Sequence, residues 1–174
     1  VLYPQMEFQR QNGRAFLRWA ALYERERPGT VPRSQFTQAM GVQPGDYIDV
    51  VVALYSCLLQ GRAWVDNQYL SLLRSGYGET LDHVLSLFRR DIATLRTELQ
   101  QAPAQKVCGA GELFEFPYVR RFPLFAHRDG RSFFWHPLVL ARGVEEFVHA
   151  RMSDYLGKPY IDSFSKLFDK YVVE

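Results

Sequence analysis

Hydrophobic residues recur at helical spacing along most of this chain, and the spacing changes character once. Over residues 5–26, Phe16, Ala20 and Tyr23 line one face, Leu17 and Trp19 widen it, and Pro28-Gly29 ends the run. Ser34 is placed to cap a short helix with Phe36 and Met40 on one face and Gly41 as its stop. Pro44-Gly45-Asp46 opens the next helix: proline loses nothing where an N–H is unpaired, and an acid suits the positive end. From Tyr47 to Gln60 that helix carries Ile48, Val51, Val52, Leu54, Tyr55, Leu58 and Leu59, is apolar nearly all round, and is expected to be centrally buried. Gly61 breaks it. Asp66 is placed to cap a short helix holding Tyr69, Leu70 and Leu73, and residues 75–78 read as a turn. Leu81, Val84 or Leu85, Phe88, Ile92, Leu95 and Leu99 then form the clearest helical stripe, predicting one long helix whose other face carries Arg89, Arg90 and Arg96.

The period changes between residues 113 and 152. Residues 101–112 are small, polar and punctuated by glycine and proline, which predicts a linker or mobile loop. Phe122 to Ala126 and Phe133-Phe134-Trp135 then flank Arg128-Asp129-Gly130-Arg131, and Asp-Gly favours a tight turn with positive φ, so a β-hairpin is expected. Pro123 either starts the first strand or confines it to an edge. Helical spacing returns after Pro137 with Leu138 or Leu140, Val144, Phe147 or Val148, Met152 and Tyr155. Gly157 and Pro159 interrupt it. Tyr160, Phe164, Leu167, Phe168, Tyr171 and Val172 give a last amphipathic helix. The expected architecture is α+β and mainly α: a helical bundle over 1–100, a linker over 101–112, and a hairpin with two helices over 113–174. The chain opens on Val1 and closes on Glu174 within helical spacing, so both ends are expected to be cuts from something longer.

Composition narrows the class without naming a reaction. A chain of 174 residues that is 47% hydrophobic can bury a sizeable core and is not a disordered segment. No run approaches the ~18–20 apolar residues that a membrane-spanning helix needs, and no signal peptide is visible. Cys57 and Cys108 have no zinc spacing and no disulfide framework, which fits a reducing, cytoplasmic setting. Net charge is only +2, but the bases are nearly all arginine, with lysine confined to Lys106, Lys158, Lys166 and Lys170. Arginine suits bidentate contacts to carboxylates and phosphates and stacks on rings.

Each constellation with chemical potential has a plainer counterpart. Glu146 and His149 have the Glu-x-x-His spacing of di-iron bundles, with Glu145 beside them, but a second such motif and further inward glutamates are lacking. An exposed pair on one helix face is the plainer reading. His127 and Asp129 flank the hairpin turn and His136 ends its second strand. Neither Ser132 nor Ser153 sits in a nucleophile elbow. Gly109-Ala110-Gly111 lacks the Gly-Lys-Ser/Thr ending of a phosphate loop. No catalytic residue, metal or cofactor is assigned. Arg89, Arg90, Arg120, Arg121, Arg128, Arg131 and Arg142 remain as contact candidates. Those around the hairpin interleave with Tyr118, Phe122, Phe125, Phe133, Phe134 and Trp135, as in surfaces that bind nucleic acid. Against this, strand aromatics are usually core and alternate arginines usually face solvent.

Several segments together carry a resemblance. They are Arg121-Phe122-Pro123-Leu124, the Trp135-His136-Pro137 step into a helix, and the closing Phe164-Ser165-Lys166-Leu167-Phe168-Asp169-Lys170-Tyr171-Val172. In this order, after a helical region, they resemble the N-terminal part of large bacterial proteins that carry a C-terminal nuclease domain of the restriction-endonuclease fold. Several such proteins are associated with defence against phage. The resemblance implies that Asp169 stands where the nuclease-like part begins, in place of the glutamate often found there. The metal-binding acid and the Asp/Glu-x-Lys strand of such nucleases are not in this chain, so nuclease activity would belong to a domain beyond it. The expected role is non-catalytic recognition or scaffolding in a larger bacterial protein, with a partner protein or linked domain as the contact and no membrane association. A nucleic-acid-binding module using the arginine and aromatic surface is the first alternative. A small enzyme with a site near the hairpin histidines is the second.

Overall fold

The computed structural model describes residue 23 and residues 31–101, 122–135 and 137–173; side chains of 99, 101, 137–139, 141–146 and 167–173 are not among those described. The expected helix over 5–26, apart from Tyr23, and the expected linker over 101–112, apart from residue 101, lie outside the described residues. The fold is mainly α, in the α+β class. In chain order the described elements are α1 (Arg33–Met40), α2 (Pro44–Leu59), β1 (Trp64–Val65), α3 (Asn67–Tyr77), α4 (Glu79–Phe88), β2 (Arg89–Arg90), α5 (Ile92–Gln101), β3 (Leu124–Ala126), β4 (Ser132–Phe134), α6 (Pro137–Leu156) and α7 (Lys158–Val173). They form two compact units, one of Val1–Val52 with Val148–Glu174 and one of Ala53–Phe147.

In the first unit, α1 starts one residue earlier than its expected cap. Pro32, not Ser34, is the N-cap residue: its carbonyl accepts from the amides of Gln35 and Phe36, and no side chain caps this end. Gly41 ends α1 in the left-handed conformation (φ 72°), and its N–H reaches the carbonyl of Thr37. Phe36, Ala39 and Met40 are buried, together with Val42, Tyr47, Val50 and Val51, and with Val148, Met152 and Tyr160 from the C-terminal segment. Two polar contacts tie the halves of this unit: Arg151 Nε donates to the carbonyl of Ala39 at 3.2 Å, and Tyr155 Oη donates to Gln38 Oε1 at 3.2 Å. The arginine meets one of the last carbonyls of α1, where a cation complements the helix dipole.

The second unit holds the sheet, in the order β1-β4-β3-β2. β3 and β4 are antiparallel neighbours, β1 adds antiparallel to β4, and β2 adds parallel to β3. Pro123 therefore marks the start of β3, which is an interior strand and not an edge. The turn closes through the His127 N–H on the Arg131 carbonyl (2.9 Å) and the Gly130 N–H on the His127 carbonyl (3.0 Å). Gly130 has φ 86°, and a Cβ there would lie 2.9 Å from the Asn67 side chain, whose amide donates to the Asp129 carbonyl. Both the backbone conformation and the close approach require glycine.

Two helical readings are corrected by this unit. The stripe from Leu81 to Leu99 is not one helix. Arg89 turns to extended backbone (φ −100°, ψ 130°), Arg89 and Arg90 pair with Leu124 and Phe125, and Asp91 starts a new helix by accepting from the Thr94 N–H at 2.7 Å. That amide bond also holds the Asp91 carboxyl below the usual aspartate range. Helical periodicity resumes after the cap, so the stripe conceals the break. Ile92 lies just past it and is 55% exposed. The other correction concerns residues 75–78: α3 continues through Ser75 and Gly76 to Tyr77, and the turn contracts to Gly78 (φ 55°). At the start of α3 Asp66 caps as expected, accepting from the Tyr69 N–H at 2.7 Å. The helix from Pro44 is apolar nearly all round but not buried all round: Val50, Val51, Leu54 and Cys57 are buried, whereas Val52 and Leu59 are exposed.

Candidate functional site

The sheet has one wet face, and its composition follows from strand alternation. Paired residues share a face, so Val65, Ser132, Leu124 and Phe134 fall on the buried side, whereas Trp64, Phe133 and Phe125 fall on the other. Trp64 pairs with Phe133, Phe133 with Phe125, and Phe125 with Arg90, which gives a row running across every strand. Residues two positions away on the same strands extend it: Arg131 and Trp135 flank Phe133, and His127 follows Phe125.

The rings lie beside one another and are not interleaved. Trp64 and Phe133 have centroids 6.0 Å apart at 47°, and Phe125 and Trp135 are 5.8 Å apart at 45°. His127 meets Phe133 edge-on at 5.6 Å. Trp64 is 41% exposed and Trp135 47%, so substantial ring area meets solvent. The Trp135 indole N–H donates to the Phe122 carbonyl at 3.2 Å, which fixes the ring orientation.

The arginines of this face are sorted by their carboxylates. Arg131 Nε donates to Asp129 Oδ2 at 2.7 Å, and the guanidinium carbon stands 5.5 Å from the Trp64 ring centroid and 5.3 Å from that of Phe133. The Arg131 side chain, its amide and His127 Nδ1, 2.9 Å from Oδ1, hold the Asp129 carboxyl well below the usual aspartate range. Arg90 donates to Glu98 Oε1 at 2.9 Å and to the Ser86 carbonyl at 2.7 Å, and its guanidinium lies 4.3 Å from the Phe122 ring centroid. Arg128 is exposed at the turn and has no partner among the described residues. Arg89 points the other way: its Nη1 donates to the Oγ of Ser132 at 3.3 Å.

The remaining sequence candidates are distributed as follows. Ser132 is fully buried, engaged by Arg89, and on the face opposite His127. His136, Arg120 and Arg121 lie outside the described residues. Arg142, Glu145, Glu146 and Asp169 lie in helices, with side chains outside the described set. His149 instead joins a tyrosine network: its Nδ1 is 3.1 Å from Tyr160 Oη, which is 2.9 Å from Tyr23 Oη. Among the described residues no group of three His, Cys, Asp or Glu side chains could hold a metal ion, and no helix is long and apolar enough to cross a membrane. Cys57 is buried, and burial pushes its thiol up. Trp64 escaped the sequence reading because a two-residue strand after a glycine break has no period. The alternation Arg131-x-Phe133-x-Trp135 is the sequence signal that would have found the face. No family model, curated protein or solved structure matches the chain.

Proposed function

We propose that this chain is a non-catalytic recognition region of a larger bacterial protein, and that the wet face of its four-stranded sheet is the contact surface. The observation that carries the reading is the row Trp64–Phe133–Phe125 with half-exposed Trp135 beside it. Large rings left in water lose the stabilisation that burial would give them, and contiguous exposed apolar patches mark contact sites. Arg131 and Arg90 beside the row are held by Asp129 and Glu98, which orients them before any contact forms. The resemblance to nuclease-associated bacterial proteins supplies the wider setting, in which any cleavage belongs to another domain.

The test is site-specific photocrosslinking from a benzophenone amino acid replacing Trp64 or Trp135, in cells that express the protein natively. A discrete adduct from these positions is expected, and none from exposed Ser71 on α3. Failure of both tryptophan positions to crosslink any macromolecule would overturn the reading.

A further inference from the structure

The chemistry of the wet sheet face specifies what it contacts. We infer that it is a stacking platform for a short single strand of nucleic acid, an inference that rests on the recognition reading above.

The first argument is the shape of the groups. Among the described residues the row and its flanks present planar side chains: Trp64, Phe133, Phe125, Trp135 and the guanidinium of Arg131. Every nucleobase has a π-face that stacks on rings and on guanidinium planes, whatever its sequence. Arg131 lies over Trp64 and Phe133 with a side chain about two-fifths exposed, so part of its guanidinium meets solvent beside the rings. The rings of the row, Trp64, Phe133 and Phe125, cross two strand spacings, about 10 Å, a span suited to about two splayed nucleotides.

Charge is the second argument. Three arginines, Arg90, Arg128 and Arg131, face two carboxylates, Glu98 and Asp129, each already held by one of those arginines. Arg128 is left without a described partner at the rim, where a phosphate would meet it. A peptide strand is the weaker occupant. β1 at the sheet edge is only two residues long, and so offers few backbone bonds to an added strand. A duplex is weaker still, because its bases are already stacked on one another.

The experiment is fluorescence anisotropy of labelled oligo-dT, oligo-U and a duplex of equal length, titrated with the full chain at low and physiological salt. Single strands are expected to bind more tightly than the duplex. Trp64→Ala and Trp135→Ala each weaken binding roughly tenfold, and Trp64→Phe and Trp135→Phe retain most of it. Arg128→Gln, at an exposed turn position, lowers the log–log salt slope by about 0.7. Far-UV circular dichroism identifies any variant that fails to fold, and the phenylalanine pair with Arg128→Gln then carries the test. No binding at low salt, equal binding of duplex, or alanine variants that fold and bind like the parent would overturn the inference. If oligonucleotides fail while Trp64 and Trp135 still crosslink a protein, this inference falls and the recognition reading stands. If neither oligonucleotides nor crosslinks appear, both fall.

Discussion

Two aromatic clusters in this protein use similar residues in opposite ways. In the first unit, Tyr23, Phe36, Tyr47 and Tyr160 are all buried; Tyr23 and Phe36 have centroids 4.9 Å apart, and Phe36 and Tyr47 6.0 Å. Their polar tips turn inward, with Tyr23 Oη bonded to Tyr160 Oη and Tyr160 Oη to His149 Nδ1. On the sheet of the second unit the rings turn outward, and arginines lie against them. Burial gives an aromatic side chain its largest stabilisation, so the inward cluster is read as structure. The outward one forgoes part of that stabilisation, which is why we propose it as a contact surface. The difference is set by backbone geometry: helix faces close on a core from several sides, whereas a small sheet leaves alternate residues on its open face.

Substitutions should separate the two clusters sharply. Phe36→Ala is expected to have the largest effect, a loss of about 3–5 kcal/mol in denaturant unfolding, because a ring that is 1% exposed is replaced by a cavity. A loss similar to that of Trp64→Ala would break the comparison.

Within the buried cluster the hydroxyls should differ. Tyr160→Phe removes a group that two partners use and is expected to cost about 1–2 kcal/mol. Tyr47→Phe is expected to be neutral or mildly stabilising, because the Tyr47 hydroxyl is buried with no partner among the described residues. Equal effects would show that the Tyr23–Tyr160–His149 chain adds nothing.

The same cluster should respond to alkali. Burial raises the phenols of Tyr23 and Tyr47 far above their usual range and pushes Tyr160 up to about 12 from 10.0. A raised folded pKa gives stability that is complete below the unfolded value and is lost as pH rises through the folded one. For Tyr160 the window is therefore about pH 10 to 12. Alkaline unfolding followed by circular dichroism should be shallower there in Tyr160→Phe than in the parent.

On the open sheet face the expected effects on stability are smaller. Trp64→Ala should cost about 1–2 kcal/mol, well below Phe36→Ala, since 41% of the residue is already in water. Asp129→Asn should act only through the turn. Its carboxyl is held below the ordinary 3.8 by Arg131 and His127, so the stabilisation is complete above that value and fades as pH falls further. Acid unfolding of the parent and of Asp129→Asn should converge at low pH; divergence there would place the role of Asp129 outside its charge.

Much of the fold was legible because its signals are local. Asp66 as a cap, Gly41 as a helix stop, the Asp129-Gly130 turn and the helices after Pro44 and Pro137 each depend on a few neighbouring residues, whose conformational preferences are intrinsic. The α+β class, dominated by helix, followed from these. The strand at Arg89–Arg90 was illegible for the opposite reason: its pairing partner, Leu124–Phe125, lies far along the chain, and the apolar stripe runs through the break unchanged. Trp64 was missed likewise, because its strand exists only against Phe133. For the surface, the sequence by itself supplied the arginines and rings and their alternation. Which of them share the open face, which arginine is tied to which carboxylate, and that Arg89 and Ser132 face away were decided by tertiary structure alone, since cross-strand register is a property of paired segments and not of either segment by itself.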